Sequence, residues 1–427
     1  MKSKLRIMCA VVAVLAAGHT ALAANWSVDA GGGGDYTTIQ AAIDGASSGD
    51  SINIAAGTYN ENLVINSAGS MAITLVGAGN GDNDASNTII NGVAALTDTI
   101  QIMNGGTAVG QRVILSNLRV TGGQGDSNYG MGVEIAGNGD YITFDNFASV
   151  GNGGEGIGLN YSGPVGDIVV TQSLLASNGG AGFRVPASSS LLGTLTISQT
   201  TIENNAGCGL LSYTPGTISV SDSTFLGNAS GSHTNGDLVL TDFVDGNLTL
   251  DNVSFTSDNA DVAIRISGDH DSGSPRLPIS AATISMTDVT ISGTQTPNGS
   301  YPSAAIVISR LKDLTPADIT FDNVAIDATA DYGLFLGTVT DSDIDLDEQV
   351  AFNGTFWEYA IALGQHGNSS SYALATVDVD AIGLGLSEAD VWDFDDNAAL
   401  GNVVVPEPAT MSLLALGGLA LLRRRWK

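Results

Sequence analysis

The chain has 427 residues, 55 of them Gly and only 10 Pro, with 43% hydrophobic residues. That apolar content excludes a disordered Gly-rich linker, and the length allows one large repetitive domain. Of the 14 Lys and Arg, three fall in residues 1–23 and four after residue 422, so the body holds seven basic against 43 acidic residues, a net of −36. Such a body repels nucleic acid and anionic lipid, and it repels uronate polymers unless cations intervene.

Residues 1–23 read as a secretory signal. Lys2, Lys4 and Arg6 form the charged start, Ile7 to Ala17 the apolar stretch, and Ala21-Leu22-Ala23 the small-x-small pattern that places cleavage between Ala23 and Ala24. Cys9 leaves with this segment. Cys208 is then alone, cannot form an intrachain disulfide, and reads as a small buried filler.

Residues 24–346 are expected to form one all-β solenoid. Thr37–Ala46 puts Ile39, Ala42, Ile43 and Ala46 on one helical face, which suits a helix capping the open end of the core. Strands are expected at 51–54, 63–66, 72–76 and 88–91. Beyond them one pattern recurs: apolar, polar, Asn/Gln/Asp, two free positions, apolar. It reads LSNLRV, VTQSLL, ISQTTI, VSDSTF, LDNVSF, MTDVTI and FDNVAI, and FDNFAS fits with a shifted last slot. Its amide or carboxylate positions are Asn117, Asn146, Gln172, Gln199, Asp222, Asn252, Asp288 and Asn323. Six residues on, a second polar slot holds Asn152, Asn178, Asn205 and Asn228, with Gly, Asp or Thr in the other repeats. Gly or Ala then opens another strand. One repeat cannot bury its apolar face alone; stacked repeats can, with Asn at turns accepting left-handed geometry and bonding to the next repeat.

The stretch YTTIQAAIDGASSGDSINIAAGTY, with ITLVGAG and TIING after it, resembles the opening of pectin-lyase-like proteins. That resemblance implies a single right-handed parallel β-helix with an N-terminal capping helix. The family holds lyases, hydrolases, esterases, epimerases and non-enzymatic adhesins, so fold alone does not choose among them. Residues 347–402 lose the repeat and read as a C-terminal cap or linker. Leu211, Val307 and Phe335 would face outward at the middle of the second strand of their repeats, so this segment, with Phe352, Phe356, Trp357 and Tyr359, is expected to fold back over that face.

Residues 403–427 form a sorting segment: Pro406-Glu407-Pro408, a 14-residue apolar run from Ala409 to Leu422, then Arg423, Arg424 and Arg425. It resembles the PEP-CTERM signal of Gram-negative bacteria, in which an exosortase recognises Pro-Glu-Pro. The resemblance implies export by the Sec machinery, exosortase as a partner, a short C-terminal transmembrane helix, and a cell-envelope or exopolysaccharide-matrix address, membrane-anchored through the C-terminus or released after processing.

No complete catalytic constellation stands in the sequence. Asp242 to Gly246 is similar to the aspartate motif of pectin methylesterases, without the Gln-containing and Arg-x-Trp motifs that complete that site. Gln365-His366-Gly367 and Arg265-Ile266-Ser267 echo polygalacturonase motifs in the wrong order. Arg184 and Arg265 are the candidate bases for a polysaccharide lyase. Tyr161 and Tyr213, on equivalent strands two repeats apart, would form a sugar platform with Arg184. Asp341, Asp343, Asp345 and Asp347 alternate and would gather oxygen ligands for Ca²⁺, against a solvated acidic strand as the plainer reading. No other cofactor is implied. The expectation is a non-catalytic, polysaccharide-binding matrix protein, with a polysaccharide lyase or related carbohydrate-active enzyme as the alternative and an adhesin as the third reading.

Overall fold

The computed structural model describes residues 23–364, apart from 95–96, 126–129, 161–163, 188–189, 192, 215, 230–235, 244, 259, 269–281, 297–302, 313–318, 341 and 347–348, together with 377–380 and 391–393. Within it the chain winds as a right-handed parallel β-helix: a 19-stranded sheet is bent along its length into two faces, called the first and second sheets below, a 12-stranded sheet forms the third, and a 2-stranded pair stands beside them.

The inward residues of the first sheet set the register. Leu115, Phe144, Val170, Ile197, Val220, Leu250, Met286, Phe321 and Leu346 are successive partners in one column, all buried. A second column, from Val113 through Ile142, Ile168, Leu195, Ile218, Leu248 and Ile284 to Ile319, lies two residues upstream. Alternation forces this outcome: every second residue is apolar, and a one-residue slip would turn each column out to water.

The first and second sheets meet at a bend, and all eight residues of the first amide slot sit there in the left-handed region, with φ between 47° and 55°. Asn tolerates this conformation because its short polar side chain bonds locally. The bend leaves the side chain outside, where it pairs along the stack: Asn146 Nδ2 donates to Asn117 Oδ1 at 2.6 Å and Asn252 Nδ2 to Asp222 Oδ1 at 2.7 Å. Asn323 bonds Asp288 in the same way.

A single α-helix, Ile39–Gly45, closes the N-terminal end among the described residues, burying Ile39, Ala42 and Ile43 as the sequence pattern requires. Glu61 caps it, its two carboxylate oxygens accepting the Ile39 and Gln40 N–H groups at 2.9 and 3.0 Å. Gln40 also acts as a stand-in strand. Its side chain accepts from the Val64 N–H at 2.8 Å and donates to the Val64 carbonyl at 3.1 Å, which satisfies the edge of the first strand of the third sheet, Leu63–Ile65.

Winding continues past residue 346, where loss of the amide slot suggested a cap. Ala351–Phe352, Thr355–Gly364, Val377–Asp380 and Val391–Asp393 all pair in parallel with the preceding coil. These described strands extend the stack and do not fold back over its face. Val307 and Phe335 are nevertheless buried, clustered with Val262, Ala304, Tyr332 and Ala362, and with Tyr359 against them. Inward Leu346 and Ile361 keep the register without the amide.

Candidate functional site

Two features of the third sheet and of the turn leading into it stand apart from the plain stacking. The first is a buried asparagine ladder in that turn. Asn152, Asn178, Asn205 and Asn228 are at most 3% exposed. Each Nδ2 donates to the Oδ1 of the next coil, at 3.0 Å (Asn152 to Asn178), 2.9 Å (Asn178 to Asn205) and 2.8 Å (Asn205 to Asn228). Each Oδ1 also accepts the backbone N–H of the coil before it. The ladder ends on Asp237, whose Oδ1 accepts from Asn228 Nδ2 at 2.7 Å. Asp237 stands in register with the glycines that open the other strands, and its burial pushes its carboxyl up to about 7.

Outside this ladder lies an open groove of about 740 Å³. It crosses five successive coils, from Asn91–Val93 to Asn204 and Ala206. At about 4.8 Å per strand its run is roughly 20 Å. Val93, Gln124, Gly153, Ser177 and Asn204 are among its lining residues, and none of the lining residues is charged. Ser177 and Asn204 take φ of 55° and 53°, and Gly151 takes 69°, so the turn keeps side chains short or absent and leaves the backbone open.

The second feature is a charged cluster on the outer face of the third sheet. One outward column runs Gln101, Glu134, Gly158, Arg184, Leu211, Val239, Arg265, Val307, Phe335. Its first half is polar. Glu134 accepts from Asn160 Nδ2 at 2.7 Å and from Gln101 Nε2. Gly158 separates Glu134 from Arg184, and the Met131 sulfur fills that space, 2.6 Å from where a Cβ would stand. Arg184 pairs with Glu155 at 3.1 Å. Burial lifts Glu155 to about 7, outweighing the attraction of Arg184. Burial likewise lifts Asp98 to about 6, with the charge of Glu134 pushing the same way. Tyr213 lies close enough to Arg184 and Glu155 to feel both charges. One guanidinium is therefore held by one carboxyl group, Glu155, which feels the charge of Asp98, and Asp98 in turn feels that of Glu134; Glu155 follows the groove-lining residue Gly153 by two positions.

Arg184 and Tyr213 come to this face, while Tyr161 lies outside the described residues. Arg265 pairs with Asp261 at 3.1 Å. Both guanidinium groups are thus committed to an ion pair in which they are the hydrogen-bond donors. Cys208 is buried and its thiol is pushed up to about 12, as a filler requires. In the Asp242–Gly246 stretch, Phe243 is core and Asp242 and Asp245 hold left-handed turns. Asp343 and Asp345 are on Ser342–Leu346, in register with Asp378 and Asp380, while Asp341 and Asp347 lie outside the described residues. Among the described residues no group of three His, Cys, Asp or Glu is placed to hold a metal ion. Glu155 and Asp98 escaped the sequence reading. The one signal for Glu155 was an acid in a Gly-rich turn at a position where neighbouring repeats carry Met131, Ala181 and Cys208.

Residues 404–425 match the PEP-CTERM protein-sorting motif. No curated protein matches the sequence. Among solved structures, the catalytic domain of a GH87 α-1,3-glucanase aligns at 12% identity and a TM-score of 0.52, covering 86% of this chain and 66% of that one. The chain thus spans just under two thirds of that structure. A pectate lyase aligns at 14% identity and a TM-score of 0.43 over 69% of this chain and 79% of its own. A bacteriophage tailspike from Acinetobacter baumannii, a capsular polysaccharide depolymerase, aligns at 11% and 0.41 over 93% and 66%. The chain folds as a parallel β-helix, as the GH87 domain aligns with it, and it carries a PEP-CTERM sorting motif. The motif makes it an exported protein of the envelope or extracellular space. Pro406, Glu407, Pro408, the apolar run and Arg423 to Arg425 lie outside the described residues; among the described residues no helix is long and apolar enough to cross a membrane.

Proposed function

We propose that this exported β-helix binds a neutral polysaccharide chain along the groove that crosses five of its coils. The observation that carries the reading is the groove's lining: side-chain amides, the Ser177 hydroxyl, open backbone at the glycines and the small apolar Val93 and Ala206, with no charged residue, on a body of net −36. Neutral hydroxyl-rich chains lose little on approaching such a surface, whereas a uronate chain meets like charge. Linear periodicity also fits, since each coil offers the chain one similar set of donors and acceptors.

The test is affinity electrophoresis and calorimetry against neutral glucans and uronate polymers, with and without Ca²⁺. The double variant Gln124→Ala, Asn204→Gly removes two groove amides and keeps the left-handed turn at residue 204. Losing two hydrogen bonds of about 0.5–1.5 kcal/mol each predicts roughly tenfold weaker binding. Unchanged affinity in that variant, or binding confined to uronates, would sink the reading.

A second reading, cleavage of the bound chain, is favoured by the Glu155–Arg184 pair, with the Asp98 carboxyl close enough for Glu155 to feel its charge. A carboxyl lifted to about 7 keeps its proton near neutrality and can serve as a general acid. On this reading the protein releases new reducing ends, the rate falls as pH rises through about 7, and Glu155→Gln abolishes it. Binding without any release of reducing ends leaves the first reading alone standing.

A further inference from the structure

The first coil is pinned by a carboxylate with no side-chain cation. Asp50 is 4% exposed. Its Oδ1 accepts the Ala24 N–H at 2.7 Å, and its Oδ2 accepts the Ser47 N–H at 2.9 Å and Trp26 Nε1–H at 3.0 Å. Among the described residues no Lys or Arg forms an ion pair with it. On the other side, the Ala24 carbonyl accepts the Ser51 N–H at 2.9 Å, and parallel pairing begins one residue later, at Asn25 with Ser51. Ala23 is exposed. Among the described residues the hydrogen bonds of the first coil therefore begin at residue 24, the residue that the small-x-small pattern makes the new N-terminus.

We propose that removal of the signal segment between Ala23 and Ala24 creates the cation that Asp50 lacks, so that processing itself completes the first coil. In the hydrolysis, water's oxygen goes to the Ala23 carbonyl carbon, the C–N bond breaks, and the departing segment ends in a carboxylate. The Ala24 nitrogen takes up protons and becomes an ammonium, 2.7 Å from Asp50 Oδ1 if the nitrogen keeps its place. A charged donor facing a nearly buried carboxylate makes a stronger bond than the amide it replaces. The position is specific to one residue. A cut one position away would move the charge by about 3.4 Å along the strand and out of reach.

The pairing raises the α-amine pKa in the folded protein above its ordinary value of about 8. Its stabilisation is therefore present in full below about pH 8 and is lost as pH rises through the raised value. The experiment compares the exported protein with three purified chains: one beginning at Ala24, one with a single Gly placed before Ala24, and one beginning at Ala24 with Asp50→Asn. N-terminal sequencing of the exported protein should read Ala24-Asn25-Trp26. Labelling of the α-amine near pH 8 should be about tenfold slower in the Ala24 chain than in the Gly-extended chain, with a higher melting temperature that converges at alkaline pH. Asp50→Asn should label at the ordinary rate. Should that variant fail to fold, the Gly-extended chain tests the same point with Asp50 intact. Equal labelling and melting in the two chains, or an exported N-terminus elsewhere, overturns the proposal.

Discussion

The β-helix carries two stacks of amides, and they teach opposite lessons from the same chemistry. At the bend between the first and second sheets, Asn and Asp side chains lie at or near the surface and bond in separate pairs, Asn146 to Asn117, Asn252 to Asp222 and Asn323 to Asp288. At the turn before the third sheet, four asparagines are buried, and every amide hydrogen bond replaces one that water cannot supply. In the first stack the backbone conformation is what the residue provides; in the second it is the side-chain bonds. The distinction is energetic, because a polar group stranded in the interior costs far more than one stranded in water.

The sharpest way to break this comparison is Asn178→Ala. It removes the acceptor for the Asn152 N–H and Nδ2, and the donor to Ser149 O and Asn205 Oδ1. Loss of about 4 kcal/mol is expected from denaturant unfolding, since several buried groups lose a partner at once. A milder disturbance of the same turn is Gly156→Ala, whose Cβ would stand 2.6 Å from Gly182 O and 2.8 Å from Asn178 Nδ2. About 3 kcal/mol is expected, from overpacking against backbone that cannot retreat.

The ladder's acidic end gives a pH signature. Asp237 takes up its proton at about 7 in the folded protein, against about 4 unfolded, so the folded state binds more protons between these values. Stability should fall as pH rises from about 4 to about 7 and then level off. Asp237→Asn keeps an acceptor for Asn228 and should remove that slope, raising stability at pH 8 by about 2–3 kcal/mol. At the exposed stack the effects shrink. Asn252→Ala should cost only about 1 kcal/mol, mostly for a left-handed alanine, and Asn252→Gly should be nearly neutral. If Asn252→Ala proved as costly as Asn178→Ala, burial would not be the deciding difference.

The stacking was legible in the sequence because alternation and the amide slots repeat together. Leu115, Val170, Ile197, Leu250 and Phe321 occupy one column, and all eight amide positions take the same backbone conformation. The coils after residue 346 were not legible, because only the inward residues persist there and two or three apolar positions per coil make no signature. The charged cluster was legible in part. Arg184 and Glu134 could be placed outward by counting along their strands, but Glu155 and Asp98 precede theirs in turns, where alternation says nothing about direction. Their convergence depends on how the turn aims them.

The helix at the N-terminal end closes the stack in one direction only. Backbone pairing joins each coil to the coils above and below, so a duplicate of one of the groove coils that carry Asn152, Asn178 and Asn205 would add about one strand spacing to the groove and one more step to the asparagine ladder, with the closed end untouched. Length in this architecture is an independent variable: evolution or an engineer can set the reach of the binding surface in whole-coil increments, as a ruler is cut, without redesigning either terminus.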